Sequence, residues 1–243
     1  MLDARLGEMV VCAWSSRVGA DADASHPVMP DGCIDLLFES ATGRLEVVGT
    51  MTKTLWVTGC GPTEHVGIRF RPGGASPLLR IDAAELTDVC VPAEDLLGLA
   101  ARDLETRLVE AEPGARTRLL ESFLLRRIVR VDPRIVYAAE RLRAGPSTRV
   151  DAIARDLGIS RQYTRRLFLK HTGLTPKAFA SVTRLARLWP GLDRAVPLAR
   201  VAFEAGYADH AHMTREVRRL TGATPSAFSR RVPSVRDNRE PAP

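Results

Sequence analysis

Along the first seventy residues, apolar side chains recur at every second position. In CIDLLFES, Ile34, Leu36 and Phe38 alternate with Asp35, Leu37 and Glu39, and in HVGIRFR, Val66, Ile68 and Phe70 alternate with Gly67, Arg69 and Arg71. A period of two puts one set of side chains on one face, so both segments are predicted as strands. RLEVVG and KTLWVTG, between them, predict two more. The breaks MPDG, SATG, GCGP and RPGG supply the glycine and proline that tight turns require. Short strands at this spacing predict a small antiparallel sandwich or barrel.

Near residue 93 the period changes. PAEDLLGLAARDLETRLVEA and, after Pro113-Gly114, ARTRLLESFLLRRIVR place leucines at i, i+3 and i+4, which predicts two amphipathic helices. Beyond Arg130 the helices become short and well punctuated. Asp132-Pro133 opens one that Gly145-Pro146 closes, and Thr148-x-x-Asp151 has the form of a capping box for VDAIARDL, which Gly158 ends. Ser160 is a good N-cap for RQYTRRLFLKHT, Gly173 closes that helix, and Thr175-Pro176 opens the next.

This punctuation is used twice. GLTPKAFA at 173–180 returns as GATPSAFS at 222–229, and IARDLG at 153–158 returns as VAFEAG at 201–206. The offset is 48 residues before the turn and 49 after it, so the second copy has one extra turn residue. Helix, glycine-containing turn and basic helix form the helix-turn-helix signature. In the first basic helix, Gln162, Arg165 and Arg166 share a face opposite Thr164, Leu167 and Phe168. In the second, Met213, Val217 and Leu220 make the apolar stripe and leave His212, Arg215, Arg218 and Arg219 outward, with His210 at the start. Guanidinium and planar amide groups suit bidentate contact with guanine and adenine in the major groove.

Charge divides the chain the same way. Residues 1–114 carry 9 Arg and Lys against 18 Asp and Glu, and residues 115–243 carry 26 against 11, so −9 is followed by +15 and the sum is the chain's +6. An acidic module joined to a strongly basic one points to a polyanionic partner for the second half.

On these residues, 132–231 resembles the double helix-turn-helix DNA-binding domain of AraC-type bacterial transcription regulators. The resemblance rests on IARDLGIS followed by Phe168, G-x-TP-x-x-F, the linking RLARL, VAFEAGYAD, TREVRR and TGATPSAF. It implies that Gln162, Arg165 and Arg166 read bases from the first recognition helix, and that His210, His212 and Arg215 do so from the second. Arg161, Lys170, Arg218 and Arg219 are the expected phosphate contacts. Two departures are present. Met213 and Val217 stand where the family usually has aromatic residues, which implies a looser second subdomain. Trp189-Pro190-Gly191 interrupts the region of the linking helix, where an interior proline costs ~3 kcal/mol and is expected to kink or end it.

The acidic half resembles, more weakly, a cupin-like β domain found on some AraC-type proteins, through MPDGCIDLLFE, GIRFRPGGASPLL and AAELTD. It holds only His26 and His65, so neither a catalytic metal nor any other cofactor is expected. Trp56, Arg69 and Arg71 are candidates for a ligand pocket, with a pairing of Arg69 and Arg71 to Asp35 or Glu39 as the alternative. Cys12, Cys33, Cys60 and Cys90 are spaced 21, 27 and 30 residues apart with no C-x-x-C, the pattern of buried small hydrophobes rather than of a zinc site or disulfide framework. There is no G-x-S-x-G, P-loop or H-E-x-x-H, so an enzyme is not expected. No apolar run approaches the roughly 18 residues of a membrane span, and the expected location is the cytoplasm.

The expected fold is therefore α+β: a small β-rich, cupin-like sensor or dimerisation domain at 1–112, a connecting helix at 113–131, an all-α double helix-turn-helix domain at 132–232 and a disordered tail at 233–243. The expected partners are double-stranded DNA, a small-molecule effector and a second copy of the chain, with no membrane. The alternative is a ligand-binding interaction protein whose basic half binds nucleic acid without sequence preference.

Overall fold

The computed structural model describes residues 2–19, 25–58, 61–145, 148–192, 198–231 and 240–241. Eight strands lie among them: β1 (Val10–Val18), β2 (Ser25–Val28), β3 (Asp35–Glu39), β4 (Arg44–Val48), β5 (Leu55–Thr58), β6 (Thr63–Phe70), β7 (Cys90–Pro92) and β8 (Glu240–Pro241). They form two antiparallel sheets, one in the order β7-β4-β3-β6-β1-β8 and one pairing β2 with β5. The alternation read in β3 and β6 is the alternation of burial: Leu36, Phe38, Val66, Ile68 and Phe70 are buried. β1 was not predicted, and its register explains why. A bulge between Val10 and Cys12 leaves the buried positions Val10 and Ala13 three residues apart, which destroys the period of two.

The other side of the sheet's core is made by helices, not by further strands. After a short α1 (Ala75–Leu79) and a 3-10 turn at Ala83–Leu86 come α2 (Ala93–Leu97), α3 (Leu99–Glu110) and α4 (Pro113–Leu125). Leu104, Leu108, Leu120, Phe123 and Leu124 bury their side chains in the same core as the sheet. One charged link crosses this layer: Arg116 of α4 reaches Glu64 of β6 at 2.6 Å, both largely buried.

The C-terminal part is helical: α5 (Pro133–Ala144), α6 (Val150–Asp156), α7 (Arg161–Thr172), α8 (Pro176–Leu192), α9 (Leu198–Ala205), α10 (His210–Thr221) and α11 (Pro225–Arg231). Asp132 caps α5 by accepting from the Arg134 N–H at 2.9 Å, as its sequence implies. The capping box expected before α6 does not form: Arg149 occupies the N-cap position without a side-chain bond, and Asp151 is instead paired with Arg161. Pro190 does not stop the linking helix, since α8 continues to Leu192. Proline there removes the hydrogen bond to the carbonyl of Ala186, a residue on the exposed side of the last turn where water can replace it.

Of the tail, Glu240 and Pro241 pair with Ser15 and Trp14 at the edge of the large sheet, while 233–239 and 242–243 lie outside the described residues. No helix among the described residues is long and apolar enough to cross a membrane.

Candidate nucleic-acid interface

The first recognition helix, α7, is built as its pattern implies. Ser160 Oγ accepts from the Tyr163 N–H at 3.1 Å and Gly173 ends the helix with φ +73°. Thr164, Leu167 and Phe168 are buried, and Arg161, Gln162, Arg165, Arg166 and Lys170 are exposed. Gln162, Arg165 and Arg166 therefore stand together on one solvent-facing surface. Tyr163 lies between two guanidiniums, with Arg134 and Arg166 each 5.4 Å from its ring centre, so Arg166 is steered by an aromatic face. Arg161 is not a free cation, because its Nε is 2.6 Å from Asp151.

The second helix, α10, starts on an equivalent cap. Asp209 accepts from the His212 N–H at 2.6 Å, and Gly222 ends the helix with φ +76°. Met213, Val217 and Leu220 are fully buried, so the smaller side chains that replace aromatics still fill this core. At the 49-residue offset Arg166 corresponds to Arg215, Tyr163 to His212, Gln162 to Ala211 and Arg165 to Thr214. His210 and Arg215 are exposed. His212 is turned toward its own subdomain: Nδ1 accepts from the Ala208 N–H at 3.4 Å, Nε2 is 3.9 Å from Glu216, and the ring meets Tyr207 edge-on at 5.4 Å. Arg218 and Arg219 are exposed, and Arg219 Nη2 donates to Ser181 Oγ of α8 at 2.7 Å.

Between the start of α8 and the side of α10 lies an open groove of about 450 Å³, with Lys177, His212, Arg215 and Arg219 on its walls and Glu216 among them. Glu216 is already engaged, bound through both oxygens by Arg184 at 3.0 Å. Burial alone would raise its carboxyl, but the Arg184 hydrogen bonds outweigh this and hold it below the ordinary value. The groove thus presents net positive charge. Lys177 was missed in the sequence because it lies outside the basic helices.

Two further positions were legible only in the repeat itself. Thr172 and Thr221, one residue before each closing glycine, each donate back to a helix carbonyl (Phe168 at 2.8 Å, Val217 at 2.9 Å) and accept from the N–H two residues on at 3.2 Å. The repeated motif is therefore T-G-x-T-P-x-A-F, its first threonine sealing the turn from within. The offset also places Ala211 and Thr214 at the positions of Gln162 and Arg165.

The candidate pocket residues of the acidic half are engaged elsewhere. Arg69 binds Asp35 through two hydrogen bonds of 3.1 and 3.0 Å and Asp31 at 2.9 Å, the alternative pairing of the sequence reading. Arg71 lies just past β6 and donates to the Gly7 carbonyl at 2.7 Å. Trp56 meets Phe228 of α11, with 5.9 Å between ring centres. His65 lies 3.4 Å from Glu39, and His26 is on β2. Among the described residues no three His, Cys, Asp or Glu side chains gather as a metal site. Of the cysteines expected to be buried, Cys33 is, Cys12 is half-buried and Cys90 is exposed. Burial and the neighbouring Asp31 push the Cys33 thiol up to about 12, and partial desolvation beside Glu46 raises that of Cys90, which disfavours the thiolate at both. Cys60 lies outside the described residues.

Comparison with known proteins divides the chain where its chemistry does. Residues 153–231 match the model of a helix-turn-helix domain, and residues 3–92 match the model of a domain of unknown function, DUF6597. No curated protein matches the chain. Among solved structures, the C-terminal domain of AraT, a response regulator from Geobacillus stearothermophilus, is similar at 18% identity over 45% of this chain and 94% of that one, with a TM-score of 0.41. ToxT from Vibrio cholerae is similar at 9% identity over 92% of this chain and 94% of that one, with a TM-score of 0.45. A structure of ToxT with bound unsaturated fatty acid gives 9%, 93% and 96%, with a TM-score of 0.47. The chain thus joins a β-rich N-terminal segment that matches a domain family of unknown function to a C-terminal segment, 153–231, that matches a helix-turn-helix domain.

Proposed function

We propose that the chain is a sequence-specific DNA-binding transcription regulator. The observation that carries this reading is the exposed polar face of α7, formed by Gln162, Arg165 and Arg166, repeated at α10 by His210 and Arg215 on a second copy of the same capped helix. Arg165, Arg166 and Arg215 supply bidentate donors for guanine and Gln162 for adenine. Lys170, Arg218 and Arg219, joined by Lys177 in the groove, supply phosphate contacts. Arg161 joins them by exchanging Asp151 for a phosphate, and His212 acts by orienting the start of α10 more than by reaching a base.

In this reading residues 1–112 sense a small-molecule effector or mediate homodimerisation, residues 113–131 connect, residues 132–232 read DNA, and the protein works in the cytoplasm. A gel-shift titration against random genomic fragments at two salt concentrations tests it. A subset of fragments that survives excess competitor at the higher salt is the expected result. Equal displacement from every fragment favours the alternative, nucleic-acid binding without sequence preference.

A further inference from the structure

Each repeat is held from behind by the N-terminal domain, and at corresponding positions. In the first, Ser76 Oγ donates to the Lys170 carbonyl at 3.3 Å and lies 3.5 Å from His171 Nδ1, while Thr87 Oγ1 donates to the Gly173 carbonyl at 2.9 Å. Gly32 faces Phe179 so closely that a Cβ at position 32 would stand 2.7 Å from its ring. In the second, the Thr54 N–H donates to the Leu220 carbonyl at 2.7 Å and Trp56 meets the Phe228 ring. Phe179 and Phe228 are the same repeat position 49 residues apart, as are His171 and Leu220. The contacted turns lie at the C-terminal ends of α7 and α10, away from the residues assigned to bases, which fall in the first two turns.

The linking helix does not settle the geometry alone. α8 reaches the second repeat through Arg184–Glu216 and through Trp189, whose ring is 5.1 Å from that of Phe228. Phe228 is therefore held between Trp189 of the linker and Trp56 of the β domain.

Resting on the DNA-reading function above, we propose that the N-terminal domain fixes the distance and angle between the two recognition helices, with Thr54 and Trp56 as the positioning residues that restrict the chain to one spacing of its two base-contact elements. Both repeats are fastened to one body by the turns behind their reading helices. Releasing one of them lets α10 pivot about the end of α8 while its own fold and reading face persist.

The test begins with a duplex selected from random DNA by the wild-type chain, followed by duplexes with base pairs inserted or removed between the two contact elements. Moving the second element by two base pairs rotates it about a fifth of a helical turn, and wild-type affinity is expected to fall about tenfold or more. For Trp56→Ala the same change is expected to cost less than about threefold, and Trp56→Phe restores the wild-type profile. A folded Trp56→Ala protein with the wild-type profile overturns the proposal. Thr54→Pro, which removes the N–H that reaches Leu220 together with the hydroxyl that donates to Met29 Sδ, gives the same comparison if Trp56→Ala does not fold, with Thr54→Val as the control for the hydroxyl alone. Amide hydrogen exchange without DNA is the second readout: residues 210–231 exchange faster in Trp56→Ala and not in Trp56→Phe, and unchanged exchange contradicts the clamp. If selection yields no preferred duplex, the DNA-reading function fails, while the exchange comparison still decides whether the clamp exists.

Discussion

Gly173 and Gly222 end equivalent helices with φ of +73° and +76°, a region that costs a residue with a Cβ about 1 kcal/mol or more. Their surroundings differ. A Cβ at 222 meets nothing within 4 Å, whereas one at 173 would lie 2.7 Å from the Ala83 carbonyl oxygen. Gly222→Ala is therefore expected to lower unfolding free energy by about 1 kcal/mol and Gly173→Ala by about 1–3 kcal/mol more, measured by urea denaturation. Equal losses would mean that the first repeat does not rest on the N-terminal domain. His171 adds a pH dependence. Burial holds its pKa below the ordinary 6.5, against the opposing pull of Asp132 and Asp82, with Lys170 and Arg134 adding to the lowering. The unfolded chain then takes up this proton first, so stability is lost as pH falls through 6.5 toward the lower folded value. His171→Gln should flatten thermal stability between pH 7 and 6. At this scale the outward face of α7 was legible in the sequence, because both faces of that helix follow its period. The turn of the His212 ring toward Tyr207 was not legible, since it is a tertiary choice that no local pattern encodes.

Among the elements, α8 and α10 are joined by Arg184 and Glu216, whose side chains are 16% and 11% exposed. Glu216→Gln leaves a largely buried guanidinium without its counter-charge and is expected to cost about 2–3 kcal/mol by denaturant unfolding, with Val217 and Leu220 less protected from amide exchange. A loss below about 0.5 kcal/mol would show that the pair behaves as a solvated surface bridge. The boundaries of α5, α7 and α10 were readable because Asp132, Ser160 and Gly222 act locally. The box at Thr148 failed because Asp151 found a partner in Arg161 on the next helix, and Pro190 failed as a stop because the carbonyl it leaves without a donor belongs to Ala186, an exposed residue near the end of α8. β1 was hidden by its bulge and β2 by the proline within SHPV.

For the whole molecule, the −9 and +15 halves anticipated an acidic β-rich part and a basic helical part but not how closely they join. One buried core runs from Leu36 and Phe38 in the sheet through Ile135 to Phe168 and Phe179 in the first repeat. Such contacts pair residues far apart in sequence and leave no periodic trace. Phosphate and base contacts should separate by their salt response: Lys170→Ala is expected to weaken all duplexes alike and flatten the log–log salt slope by about one unit, which titration at several salt concentrations measures. The most direct test of double reading is binding of the wild-type chain, Arg166→Ala and Arg215→Ala to every single-base-pair variant of the selected duplex. Each variant is expected to lose discrimination, worth about 1–3 kcal/mol, at its own one or two base pairs, and the two sets should lie about 10 base pairs apart. Uniform weakening at every position, or loss at the same positions for both variants, would contradict the account.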